Sequence, residues 1–149
     1  MKKRVKINKI ILENYRVHKK REFEFGKGIN LVLGRNGAGK SSILEAIGVA
    51  LFGADARTSD KDAIMIGEKS AFISVEITGK DGIDYIIEKK FGSSNDYRLY
   101  PKSSKLPIIQ GKDGILAKIR EISGIEKNSK EIYQNVVTAY QNKIVRILS

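Results

Sequence analysis

Eight consecutive residues, Gly34-Arg35-Asn36-Gly37-Ala38-Gly39-Lys40-Ser41, fit the pattern G-x-x-x-x-G-K-[ST] at every fixed position. No other feature of the chain restricts its fold as strongly, because the pattern works only between a buried strand and a helix. Both flanks are present. Ile29-Asn30-Leu31-Val32-Leu33 is short and apolar, and from Lys40 to Phe52 the residues Ile43, Leu44, Ile47 and Leu51 fall at helical spacing, with Gly53 as a stop. The glycines permit the backbone angles and close approach that let successive N–H groups point at one phosphate. The positive end of the helix dipole faces the same anion. Lys40 is then placed to bridge β- and γ-phosphate, and the Ser41 hydroxyl to ligate Mg²⁺. A nucleoside triphosphate site is the expectation.

Composition narrows the chemistry further. The chain has 149 residues, no Cys and one His, His18. Disulfide scaffolds, thiolate metal sites and His-cluster metal sites are therefore out of reach. His18 is read as solvent-exposed and non-catalytic, and Tyr15, Tyr133 and Tyr140 as packing residues. No stretch approaches the roughly 20 apolar residues of a membrane span, and no apolar run follows the charged start as in a signal peptide. A single cytoplasmic domain, associated with the nucleoid and not with a membrane, is expected. The formal net charge is +11, and residues 1–25 carry nine basic against three acidic side chains, a net of +6. Such a basic end suits a polyanion, DNA first, through salt-dependent phosphate contacts, with Lys2, Lys3 and Arg4 as the first candidates. A solvated Lys-rich surface is the other reading.

The rest of the chain reads as antiparallel hairpins around the strand–loop–helix unit. Val5, Ile7, Ile10 and Leu12 form a β-prone run ending near Asn14. Arg21–Phe25 alternates like a half-buried strand, with the polar stretch Tyr15–Lys20 between them. Phe72, Val75 and Ile77 mark a further strand. Gly79–Gly82 is its turn, Asp84–Phe91 its return, and Tyr97–Tyr100 follows a second turn over Gly92–Asp96. Ile115–Ile122 is an amphipathic helix ended by Gly124. A short helix after Ser129, a strand over Asn135–Tyr140 and a helix over Asn142–Ser149 complete the expectation. The fold class is α/β, with an antiparallel subsheet inside a mixed sheet.

One part of a hydrolytic site is missing. Hydrolysis uses a carboxylate at the end of a second buried strand to hold Mg²⁺ and orient the attacking water. After Lys40 no four apolar residues are followed by Asp. The nearest candidate, Asp84-Tyr85-Ile86-Ile87-Glu88, alternates like a surface hairpin. The chain reads as half of a catalytic site, the remainder coming from a later part of the natural protein or from another chain.

Taken together, Leu12-Glu13-Asn14-Tyr15-Arg16-Val17-His18, Phe25-Gly26-Lys27-Gly28-Ile29-Asn30 and the phosphate loop through Ser42 resemble the N-terminus of SMC-like ATPases. The likeness is greatest to the archaeal DNA double-strand-break repair ATPases of the Rad-fifty/SbcC type. Ile43–Ile47, Ala50–Gly53, Ile66–Ser70 and Tyr140-Gln141-Asn142 support it. The resemblance implies a P-loop head of ABC-ATPase type built from the two ends of one long chain, with 1–149 as the N-terminal lobe. A coiled coil would begin near the C-terminus, and zinc would belong only to a hook outside this chain. The signature loop and the Walker B carboxylates would lie in the C-terminal lobe, in agreement with the missing carboxylate.

Carried over position by position, the resemblance implies that Asn36, Gly37, Ala38, Gly39, Lys40, Ser41 and Ser42 cradle the phosphates of ATP and that Arg16 touches them. Ile64, Met65 and Ile66 would lie beside the adenine. Gln141 would contact Mg²⁺ with Ser41 and, with Lys40, serve catalysis by sensing the γ-phosphate and the attacking water. Each has a plainer alternative: Arg16 as a solvated turn residue, Ile64–Ile66 as core, Gln141 as a helix start. Departures occur at Gln141-Asn142-Lys143, where relatives often read Gln-Gly-Glu, and at Val17, where many have Ser. The implied partners are the C-terminal lobe, a second copy bound through ATP, DNA, and a nuclease subunit of the SbcD/Mre-eleven type. A nucleotide-gated chromosome-structure module, condensin-like or RecF-like, is the alternative, and a DNA-binding platform with an idle loop a third.

Overall fold

The computed structural model describes residues 6–16, 18–24, 46, 49–51 and 63–123. The expected strand at Ile29–Leu33, the phosphate loop, and the elements expected after Gly124 lie outside the described residues. What is described is a six-stranded sheet in the order β2-β1-β3-β4-β5-β6. Its strands are β1 (Lys6–Tyr15), β2 (His18–Glu24), β3 (Ser70–Thr78), β4 (Asp84–Gly92), β5 (Asp96–Pro101) and β6 (Ile109–Gln110). Every pairing between them is antiparallel. This is the expected antiparallel subsheet.

The registers follow from burying one face. Phe23, Ile10, Val75, Ile87, Leu99 and Ile109 stand opposite one another in turn and form a row across all six strands. All but Ile109 are buried. A one-residue slip of any strand would turn its apolar set to the other face, which is what holds the register. β1 carries an irregularity: Ile7 faces Ile77 and Lys9 faces Glu76, so Asn8 is the extra residue of a bulge. That bulge explains why buried positions in β1 step from Ile7 to Ile10 instead of alternating. The Asn8 amide donates to Thr78 Oγ1 at 2.8 Å, and that hydroxyl donates to Asp84 Oδ1 at 2.6 Å, so β1, β3 and β4 are tied at this end.

A helix, α1 (Lys112–Ser123), covers the buried face through Ile115, Ile119 and Ile122. Asp113 in its first turn and Arg120 in its last both suit the dipole. Its C-terminal end is held by the β3–β4 turn, where the Lys80 N–H donates to the Ile122 carbonyl at 2.7 Å. Within that turn Asp81 accepts from the Ile83 N–H and from the Tyr85 hydroxyl. Burial first, then Asp81, pushes the Tyr85 phenol up to about 12.

The structure departs from expectation at the start of β2, at β6 and at His18. β2 begins at His18, because Tyr15 and His18 pair directly and only Arg16 and Val17 connect the strands. Lys19, Lys20 and Arg21 are polar because they are exposed on an outermost strand of the described sheet, where charge discourages further strand pairing. Phe72 lies on the face opposite the core, and Ala71 and Ile73 take the buried positions. β6 was not expected, since two residues after Pro107 show no periodicity. His18 is buried, 8% exposed, with its ring edge-on to Phe23.

Candidate nucleotide-binding site

Two segments that the sequence assigns to the nucleotide meet at the tip of the β1–β2 hairpin. Asn14 and Arg16 both have positive φ, 53° and 52°, on either side of Tyr15. Asn tolerates this region, whereas a longer side chain pays about 1 kcal/mol or more for it. Backbone strain of this kind is kept where surrounding contacts over-determine it. Here they do. The Arg16 N–H donates to the Ala63 carbonyl at 2.7 Å, and the Met65 N–H donates to the Asn14 carbonyl at 2.8 Å. Between these bonds Tyr15 and Ile64 form an antiparallel bridge. Arg16 and residues 63–65 therefore share one fixed backbone, although some 48 residues separate them in sequence.

The side chains around this junction differ in exposure. Tyr15 is fully buried and meets Phe91 edge-on, with ring centroids 6.3 Å apart. Ile64 and Met65 are half-buried, and Ile64 packs against the core. Ile66 is 99% exposed. It occupies a tight turn in which the Glu68 N–H donates to the Met65 carbonyl at 3.0 Å and Gly67 takes φ 91°. Glycine is needed at that third position of the turn because a Cβ there is strained. Of the three residues read as possible core, only Ile64 packs as core.

The phosphate-loop residues Asn36, Gly37, Ala38, Gly39, Lys40, Ser41 and Ser42, together with Gln141, lie outside the described residues. The helix expected after the loop is described at Ala46 and 49–51, all helical and all buried in the same cluster as the sheet face. Ala46 and Ala50 stand four apart, so small side chains let the helix approach the sheet closely. Ala50 also receives a hydrogen bond from β5, since the Tyr97 hydroxyl donates to its carbonyl at 2.5 Å. Burial alone drives the Tyr97 phenol far above its usual pKa, so it remains a donor. The sequence places Gly92 in a turn and Tyr97 in a strand but does not show what either one holds, because each acts on a segment far away in the chain.

Glu88, the carboxylate weighed for hydrolysis, stands opposite Ser74 and Arg98 on the face away from the core. The helix residues pack on the other face, and Glu88 is thus a surface-hairpin residue as expected. Among the described residues, no group of three or more His, Cys, Asp and Glu gathers as a metal site. The ligands expected for Mg²⁺ are a hydroxyl, an amide and the nucleotide's own phosphates, a donor set of hard oxygens that suits this cation. Among the described residues, no helix is long and apolar enough to cross a membrane.

With the loop motif joined to this sheet, the fold is that of a P-loop ATPase domain. The AAA domain family matches residues 9–147, and the chain belongs to that family. Over 149 residues it is 35% identical to the DNA double-strand break repair Rad50 ATPase of Nanoarchaeum equitans, covering 95% of this chain and 18% of that one. It is 41% identical over 97 residues to the protein of the same name from Methanopyrus kandleri, covering 63% of this chain and 11% of that one. The chain thus spans less than a fifth of the length of these curated relatives. Among solved structures it is similar to the recombination mediator protein RecF with ATP, in the RecFOR pathway. That likeness has 26% identity and a TM-score of 0.56, and covers 70% of this chain and 28% of that one. A second RecF structure aligns with a TM-score of 0.62 at 23% identity, which bears on the fold alone.

Proposed function

We propose that the chain is the N-terminal, ATP-binding lobe of a DNA double-strand-break repair ATPase. The observation that carries this reading is its near-full-length similarity to the archaeal Rad50 ATPases, in a chain whose phosphate loop is complete at every fixed position. In this reading Asn36–Ser42 hold the phosphates by backbone N–H groups, Lys40 neutralises the charge on the β- and γ-phosphates, and Arg16 adds a second cation. Ser41 and Gln141 hold Mg²⁺, which supplies charge stabilisation at the transferred phosphoryl group. The fixed junction of Arg16 with residues 63–65 supports the pairing of a phosphate contact with a base contact, because one rigid backbone carries both.

Hydrolysis then requires the C-terminal lobe and a second copy of the head, and ATP acts as the clamp between two heads. DNA is bound by the basic N-terminal end, and a nuclease subunit is controlled through the closing of the pair. The likeness to RecF with ATP favours a second reading, a nucleotide-gated DNA module outside double-strand-break repair. The two differ beyond Ser149: a long heptad array interrupted by Cys-x-x-Cys belongs to the first.

The test is calorimetry with ATP·Mg²⁺ on the chain and on Lys40→Ala, followed by turnover with and without an added C-terminal lobe. The expected result is binding that Lys40→Ala abolishes, and turnover only with both lobes. Robust turnover by the chain alone would sink the half-site reading.

A further inference from the structure

The base-side segment and the phosphate-side helix are held by opposite ends of one short turn. Gly92, the last residue of β4, has φ 119°, a conformation L side chains rarely adopt. A Cβ on it would stand 2.3 Å from the Lys69 carbonyl oxygen, 2.8 Å from Ser70 Cα and 2.9 Å from Ile64 Cδ1. The first two are backbone atoms, which cannot swing aside. Next to it the Ser93 N–H donates to the same Lys69 carbonyl at 2.9 Å. The turn is thereby sewn to the stretch that carries Ile64. On its far side, Tyr97 donates to Ala50, while the Lys89 ammonium lies 4.9 Å from the centre of the Tyr97 ring. Ala50 falls in the last turn of a helix expected to end before Gly53, where carbonyls have no partner within the helix. The Tyr97 hydroxyl supplies one.

We propose that the β4–β5 turn is a brace that sets the base-side segment 63–65 against the phosphate-side helix, with Gly92 and Tyr97 as its two positioning residues. The inference rests on the nucleotide reading above. Neither residue touches the ligand in this account. Gly92 acts by letting the 64–70 backbone approach β4, and Tyr97 acts by fixing the end of the helix that the sequence reading places directly after the phosphate loop. Displacements of about 1 Å in groups that position a ligand are enough to cost up to about a hundredfold in function.

Because the two ends serve different parts of the ligand, they can be separated. Binding of ATP·Mg²⁺ and of inorganic tripolyphosphate·Mg²⁺ to the full chain would be measured by calorimetry, with folding checked by circular dichroism. Gly92→Ala should weaken ATP by about tenfold and leave tripolyphosphate within about twofold. Ser93→Pro, which keeps the glycine and removes the N–H that donates to the Lys69 carbonyl, should do the same and decides the matter if Gly92→Ala does not fold. Tyr97→Phe should weaken both ligands alike, by about fivefold, because the helix end it fixes shifts for both. Equal losses for both ligands in Gly92→Ala and Ser93→Pro, or no loss, would overturn the brace, as would an unchanged Tyr97→Phe. Wild-type chain that takes up neither ligand would remove the nucleotide reading itself. Wild-type binding without this split in the variants removes the brace alone.

Discussion

His18 stands edge-on to Phe23, ring centroids 6.1 Å apart at 83°, and its Nε2 has no hydrogen-bond partner among the described residues. Burial, and secondarily the Arg21 guanidinium, hold the imidazole below its usual pKa. Below about pH 6.5 the unfolded chain then binds a proton that the folded chain refuses, so stability falls as pH falls. Urea unfolding between pH 8 and pH 5 should show that loss, and His18→Phe should flatten it. A variant with the wild-type slope would place the titrating group elsewhere.

Ile87 is fully buried at the centre of the row across the sheet, between Val75 and Leu99. Neighbours on both strands, within one continuous buried cluster, leave little room for collapse. Ile87→Ala should cost about 2–5 kcal/mol in chemical denaturation. A loss under about 1 kcal/mol would mean the row is not packed as described.

Ile66 makes the opposite prediction. At 99% exposure it contributes almost nothing to folding, and Ile66→Ser should leave stability within about 0.5 kcal/mol. If it covers a purine, ATP affinity should nonetheless fall severalfold in the same variant. Unchanged affinity would remove Ile66 from the site while leaving Ile64 and Met65 in it.

DNA affinity should fall steeply with salt, since each phosphate neutralised adds about 0.9 to the log–log slope. Lys9 is held by Glu22, and Lys102 reaches Glu76 at 3.0 Å, so neither is a free cation for DNA. Lys19, Lys20 and Arg21 lie exposed on β2. Reversing the charges at Lys2, Lys3 and Arg4 should flatten the slope by about 3 if all three contact phosphate. An effect seen only on reversing Lys19, Lys20 and Arg21 would move the contact to the sheet edge.

The hairpins were legible because their signals are contiguous. Ala71 to Ile77 and Tyr85 to Ile87 alternate, and Gly79–Gly82 supplies turn chemistry between them. The start of β2 was not, since Lys19 and Lys20 look like a loop until the Tyr15–His18 pair makes them part of the strand. Phe72, Val75 and Ile77 marked β3 correctly, but which of its residues are buried was not legible, because the face of a strand is set by register and puts Ala71 and Ile73 inside.

Sequence alone determined the phosphate-loop motif and the antiparallel subsheet. These depend on neighbours a few residues away, so spacing and residue type are enough to specify them. Tertiary structure alone decided that His18 is buried, that Ile66 is bare, and that Arg16 shares a backbone with residues 63–65. It also decided that Tyr97 reaches Ala50 across 47 residues of chain. Contacts of that kind arise from the packing of the whole sheet, and local periodicity carries no record of which distant segment will arrive.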